Sequence, residues 1–414
     1  MPGNNPDITI RHLSNSNLAA QFSEQMAIAA IPILAVVAMG VSAEQSAALQ
    51  AINTLPFLLL SIPAGLLADR CRCKQLMIAT ELIRAAALFL LFASFHAHVL
   101  GLYGLAGLGF AIATGTVVYS VAAPALVATM VETDKLLTAN RRLEIARSIA
   151  FTAGPSVGGI LAGWASGIFA FLAAFVLSIA SVWCLAKLPD ETRQPPSNRH
   201  LLQELSEGIR FIARNRYLRP IVATAFVFNT SWYLLLAIFA YYAINRLQFS
   251  AAEVGAALGT YGFGMVAGAF LYPVVSRRLG FGRQILLGPA CAAMAALMMA
   301  GTLFSPQRAI VFASFFLFGF GPIVWTISTT SLRQIVTPGG LVARVSSVIM
   351  TATFGARPLG AVLGAWLSAR FGVASCLIGV AIGFAIQLGI IAFSAPSRLR
   401  SIDVLGQDAS PATA

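Results

Sequence analysis

Residues 151–164 read FTAGPSVGGILAGW, and residues 354–366 read FGARPLGAVLGAW. With one residue deleted, Phe151 meets Phe354, Ala153 meets Ala356, Pro155 meets Pro358 and Trp164 meets Trp366. Each copy is an apolar stretch with a proline set among small residues. The proline removes a backbone hydrogen bond and bends a helix at a defined place, while glycines let a partner helix pack within close range. A second pair of segments corresponds in place, after the second and eighth spans: PAGLLADRCRCK begins at Pro63 and PVVSRRLGFGR at Pro273. The chain therefore repeats itself, and repeated halves argue for an alternating-access carrier over a channel or a membrane enzyme.

Composition sets the solvent in which those halves sit. Of 414 residues 58%, or about 240, are apolar, and only 10% are charged, against roughly 25% in a soluble domain. Twelve spans of about 20 residues use the whole apolar fraction. A mean hydropathy of +0.81 with so little charge excludes a soluble enzyme, a disordered chain and a peripheral protein. Apolar runs bounded by charges or turn residues predict spans at 18–40, 47–68, 76–97, 99–122, 145–164, 167–187, 220–243, 253–275, 284–304, 308–330, 344–367 and 373–394. The longest polar stretch, residues 188–219, separates the sixth and seventh. Within it Leu201, Leu202, Leu205, Ile209 and Ile212 recur at helical spacing, which predicts an amphipathic helix on the membrane surface. The expected organisation is a six-helix bundle over 1–187, a linker over 188–219, a second six-helix bundle over 220–396 and a tail over 397–414. The predicted class is thus an all-α integral membrane protein of twelve transmembrane helices in two six-helix repeats.

The net charge of +12 and isoelectric point near 10.1 would suit nucleic acid if the basic residues formed one patch. They sit instead in short gaps between spans. Alternating the loops places 22 of the 27 Lys and Arg residues on the side of the N-terminus, with Arg246, Arg308 and Arg370 opposite and Arg84 and Arg357 within spans. That bias puts both termini in the cytoplasm. The five cysteines offer no disulfide framework or metal spacing; Cys71 and Cys73 flank Arg72 in a cytoplasmic loop. The N-terminal MPGNNPDITIRHLSNSN lacks the apolar core of a removable signal. No phosphate-binding GxxxxGK[ST], metal-ligand cluster or GxSxG elbow occurs, and His96 and His98 stand isolated in an external loop. The chain is read as a non-enzyme without cofactor or metal, driven by an ion gradient or by the substrate gradient itself.

Gly65-LLA-Asp69-Arg70-CRC-Lys74 resembles the signature loop between the second and third helices of the major facilitator superfamily. In such a loop an Asp at a helix end and the neighbouring Arg and Lys can form ion pairs that hold one conformation shut. Arg72 stands where the family usually has Gly, and the second-half copy has Arg277 where the acid would be. Gly154-Pro155-Ser156-Val157-Gly158-Gly159 resembles the end of the motif of the superfamily's antiporters, without its preceding glycines. Leu136-Leu137-Thr138-Ala139-Asn140 and Arg344-Val345-Ser346-Ser347 resemble the subfamily that contains macrolide exporters and the enterobactin exporter. The arginine that many drug antiporters carry in the fourth helix is absent from residues 99–131. The resemblance implies a bacterial inner-membrane exporter, monomeric, exchanging an amphipathic small molecule for protons. An importer of an organic anion would share every feature of the fold, and a non-transporting sensor is a third reading.

Charges at membrane depth cost several kcal/mol, so Glu24, Glu81, Arg84 and Arg357 are the candidates for function. Glu81 and Arg84 are three apart and share a helix face, which reads as a structural ion pair near the cytoplasmic end of the third helix. The resemblance implies that the first, fourth, seventh and tenth helices line a central cavity. Glu24, about two turns into the first span and flanked by Gln21, Ser23 and Gln25, would then face the transport path as a proton carrier. Its alternative is an interfacial acid paired with Arg141, Arg142 or Arg147. Arg357 falls near the midplane and keeps its charge, so it needs Glu24 or an anionic substrate as counter-ion, or a water-filled vestibule. Tyr119 and Thr116 on the fourth span, Asn229, Trp232 and Tyr233 on the seventh, and Trp325 and Thr329 on the tenth complete the candidate lining. Gly255, Gly259, Gly264 and Gly268 on the eighth are spaced for helix packing.

Overall fold

The computed structural model describes residues 6–131, 136–163, 168–189, 201–338 and 341–399. Among them every regular element is helical. The first half comprises α1 (Pro6–Met39), α2 (Ala43–Leu59), α3 (Ser61–Arg70), α4 (Cys73–His96), α5 (Leu102–Met130), α6 (Leu136–Gly163) and α7 (Ile168–Ala186). A connecting helix α8 (Leu201–Arg214) precedes α9 (Leu218–Asn245), α10 (Ala251–Arg278), α11 (Phe281–Gly301), α12 (Arg308–Val336), α13 (Val342–Phe371) and α14 (Val373–Ala392). Trp164, the linker residues 190–200 and the tail from 400 lie outside the described residues, as do the side chains of Asp69, Arg70, Arg141, Leu201, Leu202 and Leu205.

Among the described residues eleven helices are long and apolar enough to cross a membrane, one fewer than the sequence suggests. The exception is the second span, which is two helices. Pro63 has no N–H to give the carbonyl four residues back, and the helix is interrupted at Leu60, whose own N–H still reaches Pro56 O and whose carbonyl accepts from the Ala64 N–H, both at 2.8 Å. Counted together, α2 and α3 complete twelve crossings, so α1 begins and α14 ends on the same face, here termed the terminal face.

The halves repeat in three dimensions. In the first, α1 packs on α6 and α7, α4 on α5 and α7, and α2 on α5; in the second, α9 packs on α13 and α14, α11 on α12 and α14, and α10 on α12. Each pairing has its counterpart six crossings later. The two main contacts between halves, α2 with α13 and α6 with α10, exchange under the same two-fold relation. Glycines permit the close approach in both roles. A Cβ on Gly158 would lie 2.8 Å from Met26 O on α1, one on Gly360 would press on Thr230 O of α9, and one on Gly159 would lie 2.6 Å from Gly255 Cα across the halves.

The two ends of the bundle differ. Toward the face opposite the termini, Ile33, Leu34, Val41 and Leu49 share one continuous core with Leu235, Ile238, Phe239 and Val254 of the second half. Toward the terminal face the cores are separate: Ile10, Leu13, Met77 and Leu126 form one cluster, and Ile221, Ile285, Leu332 and Ile391 another. Among the described residues the halves therefore share a core at one end of the bundle and keep separate cores at the other. Helix α8 docks on α13, where Gly208 sits against the Arg344 carbonyl and Val348, Ile212 is buried beside Val345, and Arg344 pairs with Glu207. Ile209 of the same stripe stays 55% exposed, so the amphipathic helix divides its apolar residues between α13 and its surroundings.

Candidate functional site

A cavity of about 370 Å³ lies between the halves, walled by α1, α2, α5, α6, α9, α10 and α13. Glu24 and Arg357 both line it, with Asn229, Trp232, Tyr233 and Thr116. One acid faces two guanidinium groups, those of Arg357 and Arg147, so the lining carries a formal charge of about +1 when Glu24 is ionised. Among the described residues Glu24 makes no hydrogen bond or ion pair. The charges that act on it are Arg84, Arg357 and Arg147, with Glu81 opposing.

Arg357 lies midway along α13 and has no carboxylate partner among the described residues. Its guanidinium carbon stands 4.4 Å from the ring centre of Phe57, 4.5 Å from that of Phe354 and 5.3 Å from that of Tyr233. Phe57 and Phe354 meet edge to face at 5.4 Å, so the cage is built across the α2–α13 contact between halves. A desolvated cation on aromatic faces gains about 2 kcal/mol. Its Nε is buried without a hydrogen-bond partner among the described residues.

The opposite wall is aromatic. Trp232 stacks on Tyr261 at 4.8 Å and is backed edge-on by Phe318 at 5.2 Å and Phe315 at 5.9 Å. That packing leaves Trp232 only 7% exposed, and it presents a fixed apolar plane beside Phe228. Asn229 Nδ2 donates to Ala225 O at 2.9 Å within its own helix. Asn53, on α2, lines the cavity with a buried Oδ1 that has no hydrogen-bond partner among the described residues.

Glu81 and Arg84 stand on the first-half side of the cavity, behind Thr116, eight and eleven residues into α4 and so well inside the bundle, at 0% and 1% exposure. Arg84 Nη1 donates to Glu81 Oε1 at 2.6 Å and to Ala20 O at 3.2 Å, and Nη2 donates to Thr116 Oγ1 at 2.9 Å. Ser178 Oγ donates to Glu81 Oε2 at 2.7 Å. Four helices of the first half are thus tied together at one level, and Thr116 joins the pair to the cavity surface.

Three expected lining residues, Tyr119, Trp325 and Thr329, are placed elsewhere. Tyr119 is buried beside this network, its hydroxyl 3.2 Å from Ser16 Oγ and its ring 5.9 Å from the Arg84 guanidinium carbon. Trp325 turns toward α11, where its Cβ would meet a Cβ added to Gly288 at 2.4 Å, and Thr329 donates back to Trp325 O at 2.8 Å. The tenth crossing, α12, contributes nothing to the cavity lining; α6, α10 and α13 do. Polar lining the sequence reading passed over includes Gln50, Asn53, Ser120 and Tyr261. Asn53 carried a signal, being with Gln50 one of two amides in an apolar run.

The motif residues divide between two jobs. Gly154 and Gly158 seat α6 on α1, where added Cβ atoms would come within 2.6 Å of Gln25 Cβ and 2.8 Å of Met26 O; Pro155 also lines the cavity, and Gly159 meets α10. Pro358 is buried one residue after Arg357. Around Gly65 a Cβ would meet nothing within 4 Å. Lys74 Nζ donates to Leu188 O at 2.6 Å, satisfying a carbonyl just beyond the end of α7.

Comparison with known proteins agrees with this architecture. Residues 9–412 match the family described as transmembrane secretion effector. The multidrug efflux pump Tap of Mycolicibacterium fortuitum is 26% identical over 370 residues, covering 85% of this chain and 87% of the pump. Its namesake in Mycobacterium tuberculosis strain H37Rv is 24% identical over 419 residues, covering 95% and 94%. Among solved structures, the nucleoside transporter NupG superposes with a TM-score of 0.77 at 12% identity over 92% of this chain and 98% of its own. A bacterial homologue of the iron transporter ferroportin, in an inward-facing state, gives 0.73 at 15% identity over 94% and 98%. The chain has the major facilitator fold and belongs to the transmembrane secretion effector family.

Proposed function

We propose that the protein is a proton-coupled exporter of an amphipathic small molecule, working by alternating access in a bacterial inner membrane. The observation that carries this reading is the cavity between the halves, where one unpaired acid, an aromatic plane and two cations face a single volume. Relatives that match most of the chain bear the name multidrug efflux pump, which supports efflux as the direction. The distribution of Lys and Arg supports a cytoplasmic terminal face, so the end of the bundle with separate cores faces inward. The moving bodies are the six-crossing units of residues 1–187 and 220–396, joined by residues 188–219, with a tail from 397. A monomer suffices, since the cavity is complete within one chain.

In this cycle Glu24 takes a proton while the cavity faces outward, the halves rock about the α6–α10 and α2–α13 contacts, and the proton leaves inside as ligand loads. Loading must then compete with protonation. Ligand binding to purified protein in weak buffer should release protons, read with a pH dye and a lipophilic cation such as ethidium as probe, and Glu24→Gln should abolish the release. In inverted vesicles, accumulation should depend on an inside-acid gradient, and its absence would overturn export. A second reading, import of an organic anion, is favoured by one observation: Arg357 has no carboxylate partner among the described residues. An anion drawn to Arg357 binds best when Glu24 is protonated, so proton uptake on binding would select that reading.

A further inference from the structure

We infer that the terminal face carries a binding site for the phosphodiester headgroup of an anionic lipid, between the start of α9 and the end of α14. A second cavity, of about 440 Å³, opens there, lined by Arg216, Arg219, Pro220, Ala223, Ile390, Phe393, Ser394 and Ala395. Its level is set by the chain itself: the spans Leu218–Asn245 and Val373–Ala392 start and stop at this depth. Polar lining therefore falls in the headgroup layer and apolar lining one turn inside it.

The chemistry of the lining is one-sided. Two guanidinium groups face the cavity and, among the described residues, no acid does. Arg216 is held rather than free, its Nη2 donating to Tyr217 Oη at 2.7 Å with its guanidinium carbon 4.8 Å from that ring. The remaining donors suit the planar, bidentate recognition of phosphate. The helix start is not itself the anion site, because Asn215 Oδ1 already accepts from the N–H groups of Tyr217 and Leu218 at 2.9 and 3.1 Å and Pro220 has none to offer. Ser394 is likewise committed, its hydroxyl donating to Ile391 O at 2.7 Å. Recognition falls to the two arginines, while Ala223 and Ile390 leave apolar room for the start of an acyl chain and Phe393, 85% exposed, stands where aromatic side chains settle in the interface. Basic pockets between crossings on the side of the positive loops are suited to such headgroups. The site lies apart from the transport cavity and does not depend on what is transported.

Native mass spectrometry of the protein from nanodiscs of phosphatidylcholine with a minor fraction of phosphatidylglycerol tests this. Wild type should retain one phosphatidylglycerol in preference to phosphatidylcholine. R216Q/R219Q should weaken retention about thirty-fold, at about one decade and a half for two cations, and Ala223→Trp, which fills the cavity and keeps both charges, should abolish it. R277Q/R278Q, elsewhere on the terminal face, should change it little. Equal retention in R216Q/R219Q, verified as folded by its circular dichroism, would overturn the site. So would unchanged retention in Ala223→Trp, since binding would then be diffuse attraction. Displacement of the lipid by millimolar inorganic phosphate would show that the cavity reads a soluble anion and would overturn the lipid assignment.

Discussion

Gly159→Ala adds one methyl group at the place where α6 and α10 hold the halves together. The new Cβ would stand 2.6 Å from Gly255 Cα and 2.8 Å from Ala251 O, against about 3.5–4.0 Å for comfortable carbon contacts. Neither neighbour is the loose end of a side chain, so the helices must separate by about 1 Å. Overpacking of this kind costs about 1–3 kcal/mol. Only the state in which this contact is made bears that cost, so the equilibrium should shift about 5- to 150-fold toward the state open on the other face. Gly163→Ala is the internal control, because its Cβ would meet Ala251 Cβ at an ordinary 3.6 Å. The assay is labelling of a cysteine placed at Leu258, which lines the cavity. An impermeant maleimide would be added to right-side-out vesicles, with the exposed Cys71 and half-buried Cys291 replaced by serine. Gly159→Ala should label faster by that factor and Gly163→Ala should match its parent. Equal rates for the two would refute the idea that this contact sets the resting state.

Three further outcomes follow from the cavity and the network behind it. Glu24→Gln should lose accumulation driven by a proton gradient while keeping ligand exchange at equilibrium, which counterflow in proteoliposomes measures. Glu81→Gln leaves Arg84 charged and unpaired among buried groups and should cost about 3–5 kcal/mol, read as a fall in melting temperature in detergent, whereas Glu81→Leu combined with Arg84→Met should cost less. Arg357→Lys keeps the charge and loses the planar stack on Phe57 and Phe354, so stability should fall by about 2 kcal/mol in a denaturant titration. A loss under 0.5 kcal/mol would show that the rings do not hold the guanidinium.

The crossings and their grouping into halves are legible in the sequence because lipid enforces them: a span must be long, apolar and self-bonded. The break at Leu60 hides inside that signal, since hydropathy integrates over Pro63 without registering the lapse. Glu24 and Arg357 are conspicuous through rarity alone, and both line the same cavity. What surrounds Arg357 is not legible. The sequence suggests an acid or an anion as counter-ion, but Phe57 and Phe354 supply the neighbours through a contact between crossings nearly three hundred residues apart, and no local pattern encodes that pairing. Trp325 shows the same limit in another form. Knowing which crossing a residue occupies leaves the rotation of the helix open, and a glycine at 288 draws Trp325 to α11. The outlook for α8 was half readable, since its stripe announces amphipathicity but not that Gly208 and Ile212 would spend it on α13.

The broken second crossing also bears on how such a bundle can move at all. Helix α2 packs on α13 of the other half, whereas α3 packs on α5 of its own half and barely touches α13. One stiff rod spanning the bilayer would force its two ends to follow the same partner. A rod jointed at Leu60 has divided loyalties: in the proposed cycle α2 stays with the opposite half while α3, toward the terminal face, swings away with its own. Parting of the terminal face therefore needs no unzipping of the far side, and the aromatic cage of Arg357, anchored through Phe57 three residues before the joint, sits at the fulcrum rather than on either arm.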